Sequence, residues 1–526
     1  MPVVGRTVPL SLLIVISALY LFARLGHYAL WDDETYTSLG AEGILRTGDT
    51  SAMLDHNIVA FRGGIMLRNL RDRFTPPLPS YLAAASITLL GHTAFAARLP
   101  FALCGFATIL VIVYWLWRSR ASPLRCYLIV IAVLGNVSFF LYCRQARYYA
   151  PVLLCCIVLG YLYLNFNGKR RQAFLFACIL VCLFASNAIA FASVCVALAS
   201  DYIFWARRTL KIEAQYLFWI AIPSAVAGIA VASVWNPFAT QHGGVLFANS
   251  LFQRATLFWW NLRDLDRCEF GVGILLITAI FVYCYSKDRF LIRGVVAIAI
   301  IVFITSLVSP QTVSNTSVAD VRYILPVIPL CIFTAVFTIE RLIPNPVFSI
   351  PFALLAFHTN LLHPSVLSGS NPPQSTSRQF IAELINPPGD PYTPVAQWIR
   401  EDVHDKESVW VVPDYMTYPL MFHAPKALYA WQLDWPPHGQ FANMPEIYFK
   451  GRVPPDYVVV FGPVVQQVAP ILKSWQPHGV RYEVCATIDC FWRDLYRPEL
   501  FWRSFTPVRG YNPNLEAIYI FRRIKN

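Results

Sequence analysis

The chain has 526 residues, of which 56% are hydrophobic and 14% charged, and its formal net charge is +12. Soluble domains carry about 25% charged residues, so this composition excludes a soluble enzyme with a lone anchor and reads as a polytopic α-helical membrane protein. The basic residues lie mostly in short breaks between apolar runs; that pattern marks cytoplasmic loops, and no nucleic-acid partner is expected.

The first apolar run, Val8 to Tyr28, exceeds a signal-peptide core and has Arg6 as its only preceding charge. It reads as a retained first span. Three acids, Asp32, Asp33 and Glu34, emerge at its lip in "ALWDDETYTSLG". They open a break at 29–77 that holds seven acids and five arginines. Next comes "PPLPSYLAAASITLLG", whose prolines suit the start of a helix. It is expected in the outer interface, ahead of one full span at about 98–117. Two crossings here would put the following basic clusters outside.

Those clusters mark inside loops. They are Arg118, Arg120 and Arg125; Lys169, Arg170 and Arg171; Arg207, Arg208 and Lys211; and Lys287, Arg289 and Arg293. The breaks at 144–149, 236–269 and 310–321 read as outside. Further spans fall near 126–143, 150–166, 173–187, 189–205, 214–235, 270–286, 294–309, 322–339 and 347–363. The total is about eleven, with the N-terminus cytoplasmic and everything after about 364 outside.

The tail, 364–526, opens with a turn-rich linker, "SGSNPPQSTSR". The β-type runs "SVWVVP", "DYVVVFG", "RYEVCATI" and "EAIYIFRR" alternate with helical stretches such as "TPVAQWIRED" and "PVVQQVAPILKSW". The expectation is a C-terminal extracytoplasmic α/β domain following a membrane domain at 1–363. No GxGxxG or P-loop assigns it a nucleotide. Cys485 and Cys490 share this region, and an outside location permits a disulfide between them without requiring one.

The spans are poor in ionisable residues, unlike those of ion-coupled transporters. Charge gathers instead at the outer lip, which suits surface chemistry on a lipid-linked substrate. The motifs there resemble those of the GT-C glycosyltransferases. The acids after the first span, "DRFTPPLPSYLAAA", "AARLPFALCGFATILVIVYWLWR", "FFLYCRQARYYAPVLL" and "VRYILPVIPL" follow in the family's order over roughly 10–340. The nearest resemblance is to the protein O-mannosyltransferase, aminoarabinose-transferase and lipopolysaccharide-core galacturonosyltransferase group.

The resemblance implies a GT-C-like membrane fold. It also implies transfer of a hexosyl or pentosyl unit from a polyprenyl-phosphate donor to an envelope glycolipid, polysaccharide or protein, outside a bacterial-type inner membrane. It aligns Asp33 as the general base, with Glu34 orienting the acceptor or Asp33, and Asp32 as the alternative one residue away. Arginine suits a lipid phosphate because it is always charged and bidentate. Arg73, Arg144, Arg147 and Arg322 are the donor-phosphate candidates, although interfacial snorkelling also accounts for such residues. Tyr81, Tyr148, Tyr149 and Tyr323 are candidates for packing on lipid or sugar, as well as members of the aromatic belt. His27 and His56 flank the acidic cluster. The arginine- and aromatic-rich stretch 492–505 is a candidate cap. The second outer break, "ARYYAP", lacks the carboxylate that aminoarabinose-type members carry there, so no metal or other cofactor is expected. A polytopic transporter or lipid flippase is the alternative.

Overall fold

The computed structural model describes residues 4–207, 213–236, 239–240, 250–268, 272–309, 313, 321–370, 372–387, 389–434, 436–489 and 517–525. The candidate cap at 492–505 and Cys490 lie outside these residues, as do parts of the breaks at 236–269 and 310–321.

Helix α1 (Val4–Phe22) is followed by α2 (Asp32–Thr47), α3 (Leu78–Leu90), α4 (Ala94–Arg118), α5 (Pro123–Gly135), α6 (Val137–Cys143) and α7 (Tyr149–Leu164). Helices Arg170–Ser186, Ala188–Asp201, Ala214–Val234, Leu251–Cys268, Val272–Ser286, Arg289–Val308, Val327–Leu342 and Pro346–His358 complete the helical part. Among the described residues, five helical segments are long and apolar enough to cross a membrane: Gly5–Phe22, Ala94–Arg118, Ala188–Ala206, Gln215–Val234 and Arg289–Val308. The bent pair α5 and α6 makes a sixth, and four further apolar helices are shorter.

The expected span at 126–143 is broken. The chain turns by 60° between α5 and α6. Asn136 makes the break tolerable, because its side-chain oxygen accepts the Phe139 N–H at 2.8 Å and caps the new helix. Gly135 permits close contact with the helix Pro346–His358; a Cβ there would lie 2.4 Å from the Phe357 carbonyl oxygen.

The break at 29–77 is folded. Helix α2 fills its first third and ends on Gly48 in the left-handed conformation, φ 76°. Two small hairpins follow, β1 (Met53–Leu54) with β2 (Asn57–Ile58) and β3 (Leu67–Arg68) with β4 (Arg71–Asp72). The break at 236–269 also contains structure: Leu251–Cys268 is helical, and Leu257, Asn261, Asp264 and Leu265 on it are buried.

The tail carries strands β5 (Ser408–Val412), β6 (Leu428–Tyr429), β7 (Tyr457–Phe461), β8 (Val480–Asp489) and β9 (Ala517–Lys525). They form one sheet in the order β6-β5-β7-β9-β8. β5 runs parallel to β6 and β7, whereas β9 is antiparallel to both β7 and β8. Central strands buried on both faces read as unbroken apolar runs, as "VWVV" and "YVVVF" do. One face, with Val409, Val411, Val459 and Phe461, joins the cluster that runs through the membrane helices. The other, with Trp410, Val458 and Val460, packs on Val468 and Leu472 of helix Val465–Ser474. The hairpins of the break at 29–77 contribute Ala52, Ile58 and Leu67 to a cluster with Leu433, Phe441, Tyr448 and Phe449. The tail is thus packed against both the helices and the acidic break.

Candidate active site

Asp32, Asp33 and Glu34 occupy the first turn of α2, where the helix dipole favours negative charge. The helix sends the three carboxylates in different directions.

Glu34 turns inward and is fully buried. Its Oε1 accepts from Arg98 Nε at 2.7 Å and its Oε2 from Arg98 Nη2 at 2.6 Å, a bidentate pair. Glu34 also accepts the N–H of Ala146 at 3.0 Å and that of Trp31 at 3.3 Å. Arg98 spends its remaining donors on the carbonyls of Leu25 (3.1 Å), Tyr28 (2.8 Å) and Ala29 (3.0 Å). Glu34, expected to orient the acceptor or Asp33, is thus a carboxylate with no exposed surface and four donors on it. It clasps the end of α1, the start of α2, the start of α4 and the turn at 144–149. The "RLP" motif contains Arg98, but read as a span boundary it gave no sign of this pairing.

Asp33 turns the other way and retains 19% side-chain exposure. Its carboxylate forms an ion pair with Arg322, which is 289 residues distant in sequence. Arg147 Nη2 stands 3.7 Å from its other oxygen, and the Tyr149 hydroxyl lies 3.5 Å away. The Arg147 guanidinium sits over the rings of Tyr36 at 5.4 Å and Tyr148 at 5.5 Å, and its Nε is buried without a hydrogen-bond partner. Arg322 sits over the Tyr323 ring at 5.3 Å. Asp33, Arg147, Arg322, Tyr148 and Tyr323 thus meet in one place. The Asp32 Oδ1 accepts the Asp33 N–H at 2.6 Å.

The remaining candidates lie elsewhere. Arg73 is held by Asp49, with contacts of 2.8 and 2.5 Å, and sits over Trp235 at 5.3 Å. Its hydrogen bond holds the Asp49 carboxyl down at about 2. Arg144 donates to the Tyr20 carbonyl at 2.8 Å and the Leu21 carbonyl at 3.1 Å, closing the end of α1. Tyr81 is exposed on α3, its hydroxyl 3.3 Å from the Gly48 carbonyl and its ring edge-on to Trp235. Arg73, Arg144 and Tyr81 are therefore not part of the Asp33 cluster. His56 contacts the Ala427 carbonyl, and His27 packs edge-on to Tyr28.

Sequence reasoning passed over Tyr36 and Asp72, one turn and one hairpin from the acids. Tyr36 donates to Asp72 at 2.5 Å and accepts from Thr75 at 2.8 Å. Burial raises the pKa of both. The pair fixes the ring on which Arg147 rests and joins α2 to β4. Beyond Tyr36, the rings of Phe61 and Tyr418 continue a stack at 4.4 and 3.6 Å.

At Asp33 one carboxylate faces two guanidiniums, and the turn at 144–149 supplies tyrosines in place of a second acid. Among the described residues, no group of three or more His, Cys, Asp or Glu side chains could hold a metal ion.

No protein-family model matches this chain, and no curated protein matches it. Solved structures do. ArnT from Cupriavidus metallidurans bound to undecaprenyl phosphate is similar with a TM-score of 0.56 at 13% identity, over 97% of each chain. The apo state of the same protein gives 0.56 at 14% identity, again over 97% of each chain. The Archaeoglobus fulgidus oligosaccharyltransferase in complex with Zn and sulfate gives 0.50 at 13% identity, over 85% of this chain and 68% of that one. With this likeness, apolar helices of spanning length and a folded acidic segment after the first of them, the chain has the fold of the GT-C glycosyltransferases.

Proposed function

We propose that the chain is a membrane glycosyltransferase that moves a sugar from a polyprenyl-phosphate donor to a cell-envelope acceptor at the outer face. The observation that carries this reading is the convergence of Asp33, Arg147 and Arg322 at the lip of the membrane helices. It sits within a fold shared with a protein crystallised with undecaprenyl phosphate.

In the proposed reaction the acceptor oxygen attacks the anomeric carbon, and the bond from that carbon to the phosphate oxygen breaks. The electron pair leaves with the lipid phosphate, where Arg147 and Arg322 neutralise the developing charge. Asp33 takes the proton of the acceptor hydroxyl. A lipid phosphate arriving between the arginines competes with Asp33 for the Arg322 guanidinium, which frees the carboxylate as the donor settles. Tyr148 and Tyr323 flank the arginines and present apolar faces to the sugar or the first isoprene units. The tail is placed outside the membrane in this reading, covering the acidic segment, and the membrane is a bacterial-type inner membrane.

Transfer of radiolabelled sugar from a polyprenyl-phosphate donor by the purified protein tests the proposal. Lipid or solute movement in vesicles with no transfer would establish the transporter reading instead.

A further inference from the structure

On the far side of the Glu34–Arg98 clasp lies a cavity of about 90 Å³. Roughly 10–15 Å³ admits one water, so it has room for a small polar group. None of Asp33, Arg147 and Arg322 lines it. Its walls come from the end of α1, the turn after α6 and helix Thr376–Ile385.

Two observations single it out. Trp31 and Gln145 both line it, and each is 4% exposed. The Trp31 Nε1–H and the Gln145 Oε1 are buried and make no hydrogen bond. Buried polar groups are seldom left so, and here one donor and one acceptor border the same space. Charge is the second observation. The guanidiniums of Arg24, Arg98 and Arg144 line the cavity against two carboxylates, Glu34 and Glu383. Glu34 is committed to Arg98, and Glu383 accepts the Tyr28 hydroxyl at 2.8 Å. Arg24, at the end of α1, adopts φ 50°, a conformation uncommon for a residue with a side chain. Leu141, Phe380 and Leu384 form an apolar wall beside these groups.

We infer that this cavity binds a phosphate head that also carries a hydroxyl group, with an apolar chain lying along Leu141, Phe380 and Leu384. The phosphate oxygens accept from Trp31 Nε1–H and from arginine, and the hydroxyl donates to Gln145 Oε1. An anionic phospholipid of the phosphoglycerol type has all these parts, and free monohydrogen phosphate has the head alone. The site is separate from the Asp33 cluster and does not depend on the glycosyltransferase reading.

The test uses the full-length, delipidated protein. It is titrated with phosphatidylglycerol, with phosphatidylcholine and with inorganic phosphate. Native mass spectrometry counts bound lipid, and thermal unfolding reports phosphate. One saturable phosphatidylglycerol site is expected, with weaker phosphatidylcholine binding. Trp31→Phe keeps the ring and removes the N–H; Arg24→Gln removes an exposed charge without disturbing the core. Each should raise the dissociation constant roughly tenfold, the scale of one charge-assisted hydrogen bond. Phosphatidylglycerol binding alone identifies a membrane lipid as the source, and equal sensitivity of inorganic phosphate to both variants identifies a soluble one. The inference is overturned if neither ligand binds above the phosphatidylcholine level, or if binding ignores both substitutions.

Discussion

Cutting the Glu34–Arg98 clasp from either side should have unequal consequences. Arg98→Met leaves a wholly buried carboxylate with only two amide donors, those of Ala146 and Trp31. Removing one partner of a buried ion pair costs about 3–5 kcal/mol, because the other charge stays behind uncompensated. Glu34→Gln is milder. The amide keeps an acceptor oxygen, and Arg98 keeps its three carbonyl acceptors from Leu25, Tyr28 and Ala29. Its cost should sit nearer the 1.5–3 kcal/mol of a single charge-assisted contact. Both should slow transfer, since Ala146 is the neighbour of Arg147 and its amide anchors that turn. Thermal unfolding of the two variants and of the double variant in nanodiscs, with transfer kinetics on the same samples, measures both effects. The double variant should lose less than the two single losses combined, because the groups share one interaction. Unfolding of Arg98→Met at the wild-type temperature, or strict additivity, would refute the clasp.

Asp33→Asn should lower the transfer rate by about 10²–10⁴ while sparing donor affinity, and Asp32→Asn should do much less; a rate profile with the two reversed would move the base by one residue. Arg147→Ala and Arg322→Ala should each raise the donor requirement by roughly 10-fold or more, from loss of a charge-assisted hydrogen bond, read as the donor KM at saturating acceptor. Burial pulls the His423 imidazole down to about 4, and its Nε2 accepts the Leu30 N–H at 2.9 Å. The unfolded chain therefore binds the extra proton between about pH 6.5 and 4. Stability from this group is complete above that window and falls as pH drops through it, by about 2 kcal/mol at pH 5. Denaturant unfolding of wild type and His423→Gln at pH 7 and 5 checks this, and the wild type should lose about 2 kcal/mol more than the variant. A cysteine at Asp55 should react with an impermeant outside thiol reagent and one at Ser119 should not; equal labelling would overturn the single crossing between them.

Much of the architecture was legible from local pattern. Apolar runs of spanning length, basic clusters between them and the four β-type runs of the tail each report burial of a contiguous segment, which needs no knowledge of partners. The strands Ser408–Val412 and Tyr457–Phe461 fall within the runs quoted from the sequence. So did the convergence region: "DDE", "RQARYY" and "VRYILP" supply Asp33, Arg147 and Arg322. Helix α2 was less legible because both its faces are partly polar, and tertiary contacts with the tail and α3 bury it. The break at Gly135–Asn136 was hidden because both halves are apolar; Asn136 as a cap and Gly135 against Phe357 matter only once the helix Pro346–His358 is in place. Nothing local distinguishes adjacent carboxylates, yet a helix separates successive side chains by about 100°. That rotation, together with Arg98 on one side and Arg322 on the other, commits Glu34 to the interior and turns Asp33 toward the arginines. Residue types and their order along the chain were set by the sequence alone, whereas which acid is buried, which stays partly exposed and which arginines face it depend on pairings 64 and 289 residues long that only the packed helices create.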